Sequence, residues 1–179
     1  MRSPGGAGLS EHCFRSRSAS ETLALGRALG VALGEASDPG LVIALDGPLG
    51  AGKTVFVKGL AEGLGVAADL VSSPTFVIAQ RYDGGALRLH HIDLYRIEDA
   101  DELLGFGFDE MLDPPDVAAI EWSSRFPQAL PKDRLAVRIE RVDDDVAEAR
   151  RLDAEAAGPR ATAALAGWQR AAGAAHTPD

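Results

Sequence analysis

The sequence has a single cysteine, Cys13, three lysines, only 6% aromatic residues and no long apolar run. Each shortage excludes something. One cysteine forms no intrachain disulfide and no paired-cysteine zinc site. No apolar stretch approaches the ~18 residues a membrane-spanning helix needs. The first twenty residues set Arg2, Arg15 and Arg17 against one acid, Glu11, without the apolar segment of a secretory signal. The chain therefore reads as cytoplasmic, with no membrane partner. Tight autonomous binding to a nucleic-acid backbone needs clustered bases. Here Lys53, Lys58 and Lys132 are the only lysines, the net charge is -9, and Glu98 to Asp116 holds eight acids and no base. A protein partner, or a highly charged small ligand in a local positive pocket, suits this balance better.

What is present suits a globular protein. Hydrophobic residues make up 46% and charged residues 25% of 179 residues, which excludes wholesale disorder. A chain of this length buries about two thirds of its unfolded surface in one domain without staples. With aromatics sparse, the core must come mainly from Ala, Val, Leu and Ile. Residues 1–17 read as a disordered tail, 18–173 as one domain and 174–179 as a second tail.

The pattern predicts an α/β fold. Ser18 and Glu21 fit a capping box that opens a helix over 19–35. Leu41 to Leu45 is an unalternating apolar run ending in Asp46, as in a strand covered on both faces. Helical spacing follows over Lys53 to Leu64. Phe76 to Tyr82 and Ala86 to Asp93 read as strands joined by the turn Asp83-Gly84-Gly85, so antiparallel pairing adjoins the parallel part and the sheet is mixed. Then come a helix over 98–112 broken at Gly105 or Gly107, a buried strand Val117 to Ile120 ending in Glu121, and an alternating strand Arg134 to Val142. A strand near 146–154 and a helix near 160–172 complete the chain.

The segment Gly47-Pro48-Leu49-Gly50-Ala51-Gly52-Lys53-Thr54 carries the chemistry. Gly, four residues, Gly-Lys-Thr, between a strand and a helix, is the phosphate-loop pattern. Glycines let successive N–H groups turn toward phosphate oxygens, and the helix adds the positive end of its dipole. Lys53 would reach the β- and γ-phosphates, and the Thr54 hydroxyl would bind Mg²⁺. Leu49, Ala51 and the following Val55 belong to the same cofactor-binding segment. Phosphate-loop enzymes also need an acid at a neighbouring strand end for the metal or its waters. Asp93 and Glu121 both qualify, and spacing does not say which contacts the metal. The loop Ser72-Ser73-Pro74-Thr75 reads, on its chemistry, as an ordinary turn. His91, on the face of the strand that carries Asp93, reads as structural.

These segments together resemble the TsaE (YjeE) family, the bacterial ATPase subunit of tRNA threonylcarbamoyladenosine synthesis. They are LDGPLGAGKTVFVKGLAEGLG from Leu45, VSSPTFVIAQRY from Val71, HHIDLYRIEDADELLGFGFDEML from His90 and AAIEW from Ala118, spanning about residues 20–142. The resemblance implies a small, atypical phosphate-loop fold with a mixed, mainly parallel sheet flanked by helices. It implies ATP and Mg²⁺, weak hydrolysis alone, and action through the transferase subunit and its paralogous partner (TsaD and TsaB type), with tRNA engaged only indirectly. It also implies a switch-like role for Thr75, roles for Asp93 and Glu121 around Mg²⁺, and a place near the active site for Trp122. Thr22 and Arg150 would lie near the nucleotide. Pro48 departs from the family, which has an acid there; it removes one N–H early in the loop.

Other functions fit less well. A small-molecule kinase would place Arg or Lys in a lid, and 97–120 has none. A GTPase would carry Asn-Lys-x-Asp, which is missing. A scaffold that binds ATP without hydrolysing it has the same sequence features as a slow ATPase.

Overall fold

The computed structural model describes residues 10–67, 70–71, 78–83, 85, 87–142 and 147–175. Seven strands form one sheet in the order β1-β7-β6-β2-β5-β4-β3. They are β1 (Ser10–Ser16), β2 (Leu41–Asp46), β3 (Ala79–Asp83), β4 (Arg88–Asp93), β5 (Val117–Glu121), β6 (Arg134–Arg141) and β7 (Arg150–Ala157). β6, β2, β5 and β4 run parallel, while β3, β7 and β1 pair antiparallel at the flanks. The sheet is thus mixed and mainly parallel, as the hairpin signal and the unalternating run of β2 predict.

Helices α1 (Ala19–Gly34), α2 (Lys53–Gly63) and α5 (Pro159–Ala175) pack together with one core, in which Leu29, Ile43, Phe56, Leu60, Val137 and Trp168 are fully or almost fully buried. The short helices α3 (Asp101–Gly105) and α4 (Phe108–Met111) belong to a second core, with Val42, Ile92, Leu103, Phe108 and Ile120. β2 feeds both: Ile43 and Leu45 go to one core and Val42 to the other. That is why its sequence does not alternate. α1 and α2 lie so close that a Cβ on Gly26 would strike the Phe56 carbonyl oxygen, and one on Gly59 that of Leu23. This contact fixes α2, and the loop before it, against the rest of the fold.

Most expected elements lie within a few residues of their predicted bounds. The break between α3 and α4 falls at Gly107, whose φ is 74°. The N-terminal tail needs correction. Residues 10–16 are not disordered; they form β1, paired with β7 from Ser10↔Ala156 to Ser16↔Arg150. Phe14 anchors it by stacking on Trp168 at 4.0 Å between ring centroids. A strand held by one buried aromatic and a distant partner leaves almost no local pattern, so its sequence reads as a tail. Residues 1–9 and 176–179 lie outside the described residues. So do residues 72–77, which hold the turn Ser72 to Thr75 and the start of the strand predicted from Phe76.

Candidate phosphate-binding site

Parallel strands end their carbonyl ends at one rim of the sheet, where open α/β folds hold ligands. β2 ends there at Asp46, β4 at Asp93 and β5 at Glu121, with Asp93 directly opposite Glu121 in the register. The loop 47–52 rises from β2 at this rim and delivers the chain into α2.

The loop's glycines do what their positions ask. Gly47, Gly50 and Gly52 have φ of 137°, 72° and 110°, in the region side chains disfavour. At Gly47 a Cβ would also collide with the Ile139 carbonyl oxygen on β6. Gly52 caps α2 without any side-chain hydrogen bond. The first N–H groups of a helix have no intrahelical acceptor, so here they stay available to an external anion.

Lys53 lies beneath this opening, 4% exposed. Its Nζ donates to the carbonyl oxygens of Gly47 at 2.8 Å and Pro48 at 3.1 Å, and sits 4.1 Å from the centroid of the Trp122 ring. Burial lowers its pKa below the usual lysine value, and Glu121, Asp93 and Asp46 oppose that shift. A phosphate anion would oppose it further. Arg150 donates from Nε to the Ala51 carbonyl oxygen at 2.9 Å, and Arg141 from Nη2 to that of Gly50 at 3.4 Å. An acidic protein thus concentrates three cations around one loop.

The acids are equally organised. The Thr54 hydroxyl donates to Glu121 Oε1 at 2.9 Å, which leaves its oxygen lone pairs for a cation. Asp93, 5% exposed, accepts from the Tyr95 N–H at 2.9 Å. Among the described residues no group of three or more His, Cys, Asp or Glu could hold a metal ion. The Thr54 hydroxyl and the strand-end carboxylates of Asp93 and Glu121 are hard oxygen donors, the kind Mg²⁺ takes together with water and phosphate.

The structure brings together nearly all the residues singled out in the sequence. Thr22, Gly50, Ala51, Gly52, Val55 and Arg150 help line a cavity of ≈ 110 Å³ beside the loop. The Thr22 hydroxyl is turned to Ser16 Oγ at 2.7 Å and the Ser18 carbonyl oxygen at 3.2 Å, so what it offers the loop is its methyl group. Leu49, 81% exposed, stands at the loop tip. Trp122 has φ 61° and packs 5.0 Å from the Tyr95 ring. Thr75 lies outside the described residues. Sequence reasoning missed Asp46 as more than a strand end. It accepts from Ser123 Oγ at 2.5 Å and the Ser124 N–H at 3.0 Å, tying the turn after Trp122 to β2. Its place immediately before the phosphate loop was the available signal. His91, read as structural, contacts Glu121.

Comparison with known proteins points to one family. The family model described as threonylcarbamoyl adenosine biosynthesis protein TsaE matches residues 16–152. The tRNA threonylcarbamoyladenosine biosynthesis protein TsaE of Bacillus subtilis is 47% identical over 110 residues, 62% of this chain and 68% of that protein. Its counterpart in Streptomyces coelicolor is 40% identical over 125 residues, covering 68% and 83%. The crystal structure of Bacillus subtilis YdiB superposes with a TM-score of 0.73 at 32% identity, covering 92% of this chain and 98% of that one.

Proposed function

The chain belongs to the TsaE family of tRNA threonylcarbamoyladenosine biosynthesis proteins, and from that premise we propose that it is a Mg²⁺-dependent ATPase. It acts through the transferase subunit and its paralogous partner, of TsaD and TsaB type, and not on tRNA directly. The observation that carries the ATPase reading is the uncapped start of α2 with Lys53 buried below it and Thr54 bonded to Glu121.

On this reading the N–H groups at the start of α2 take the phosphate oxygens. Lys53 exchanges its bonds to the Gly47 and Pro48 carbonyls for the β- and γ-phosphates, and Trp122 keeps that ammonium from drifting out. Thr54 would hold Mg²⁺ through a lone pair of its hydroxyl oxygen while the hydroxyl keeps its proton and goes on donating it to Glu121. The bound cation supplies charge neutralisation for the departing phosphoryl group. Asp93 and Glu121 would hold the cation, directly or through its waters. Arg150, with the Thr22 methyl, borders the space beside the loop where the nucleoside would sit, and Thr75 serves as the switch-like residue. The acid-rich segment 98–116 disfavours tRNA as a direct ligand and favours a protein surface.

Phosphate release from ATP and Mg²⁺, measured alone and with the purified cognate transferase pair, tests the proposal. Slow release that rises with the pair is the expected result. Release indifferent to the pair but raised by a small-molecule acceptor would make the protein a kinase. No release under either condition would make it an ATP-binding scaffold.

A further inference from the structure

His91 is fully buried on β4, and its Nε2 lies 2.8 Å from Glu121 Oε1. The Thr54 hydroxyl meets the same oxygen at 2.9 Å. The two side chains approach from different elements, one from β4 and one from α2. His91 stands opposite Ala119 in the register, two residues short of the Asp93–Glu121 pair, and so reaches Glu121 diagonally across the parallel strands. Its other ring nitrogen, Nδ1, is buried with no hydrogen-bond partner among the described residues.

That orphaned nitrogen is informative. An apolar side chain of similar size would fill the space without burying an unsatisfied polar atom. Among the described residues the imidazole makes one bond there, to Glu121, and since a carboxylate oxygen can only accept, Nε2 is the nitrogen that carries the proton. We propose that His91 is a positioning residue: with Thr54 it locks Glu121 Oε1, so that the carboxylate turns its other oxygen, Oε2, to the cation. The inference rests on the reading of Glu121 as a magnesium-associated acid. Outer partners that orient a metal-associated group typically change metal affinity ~10–100-fold when removed.

The test is calorimetric titration of a non-hydrolysable ATP analogue with and without Mg²⁺, giving the factor by which the metal strengthens binding. His91→Met keeps the volume and removes the donor; His91→Gln keeps an N–H near the Nε2 position. Expected is a loss of about tenfold in that factor for His91→Met, recovery by His91→Gln, and little change in metal-free affinity for either. Equal loss in both variants, or no loss in His91→Met while Glu121→Gln does lose the enhancement, overturns the positioning role. Glu121→Gln with full enhancement overturns the reading of Glu121, and the inference falls with it. Nitrogen NMR on the unaltered protein gives a check independent of variant folding. A proton on Nε2 with Nδ1 bare is expected; the opposite tautomer contradicts the proposal.

Discussion

Two helices of this protein solve the same backbone problem in opposite ways. At the start of α1, Ser18 accepts the Glu21 N–H at 3.1 Å, and the Glu21 carboxylate accepts the Arg17 N–H at 2.7 Å. The helix uses its own side chains to satisfy donors that have no intrahelical partner. At the start of α2, Gly52 caps with a left-handed backbone and no side-chain bond. Both helices serve the same core, so burial does not separate them. The difference is that α2's donors open onto a buried lysine and a row of strand-end acids. A closed start belongs to a scaffold; an open start beside a cation belongs to a site for an anion.

Substitutions should separate the two ends. Lys53→Ala should weaken ATP binding most, by about 100-fold or more, since charge-assisted bonds to phosphate are worth about 1.5–3 kcal/mol each. Calorimetric titration measures this, and an affinity within about threefold of the parent would remove the loop assignment. Gly47→Ala should come next, lowering stability by about 2–3 kcal/mol in denaturant titration through backbone strain and the collision with Ile139. Unchanged stability would mean that the loop path is not fixed as described. Glu121→Gln and Asp93→Asn should each lower hydrolysis about tenfold or more while nucleotide still binds. Phosphate release at the parent rate in both would end their assignment. Ser18→Ala should have the smallest effect, about 1 kcal/mol of stability, with ATP affinity within about twofold. A large loss of affinity there would abolish the contrast between the helices.

Much of this was legible in the sequence, and for identifiable reasons. The phosphate loop, the capping box of α1 and the acids at two strand ends are local signals, each written within a few residues. β1 was not legible, because its partners β7 and Trp168 lie more than a hundred residues away and Phe14 is its one large apolar side chain in the core, the other buried residue being the small polar Ser16. His91 was legible as a buried residue but not as Glu121's partner, because a diagonal contact between parallel strands needs the register, which no local pattern contains. Asp46 failed similarly: its bonds to Ser123 and Ser124 cross from β2 to the turn after β5.

The contrast between the helix ends is tested most directly by amide NMR on adding inorganic tripolyphosphate with Mg²⁺, a probe that has phosphates and no base. The account predicts large shifts of the Gly50 to Thr54 amide signals and unmoved signals at Ser20 and Glu21 in the first turn of α1. Shifts of equal size at both ends, or none at Gly50 to Thr54, would contradict it.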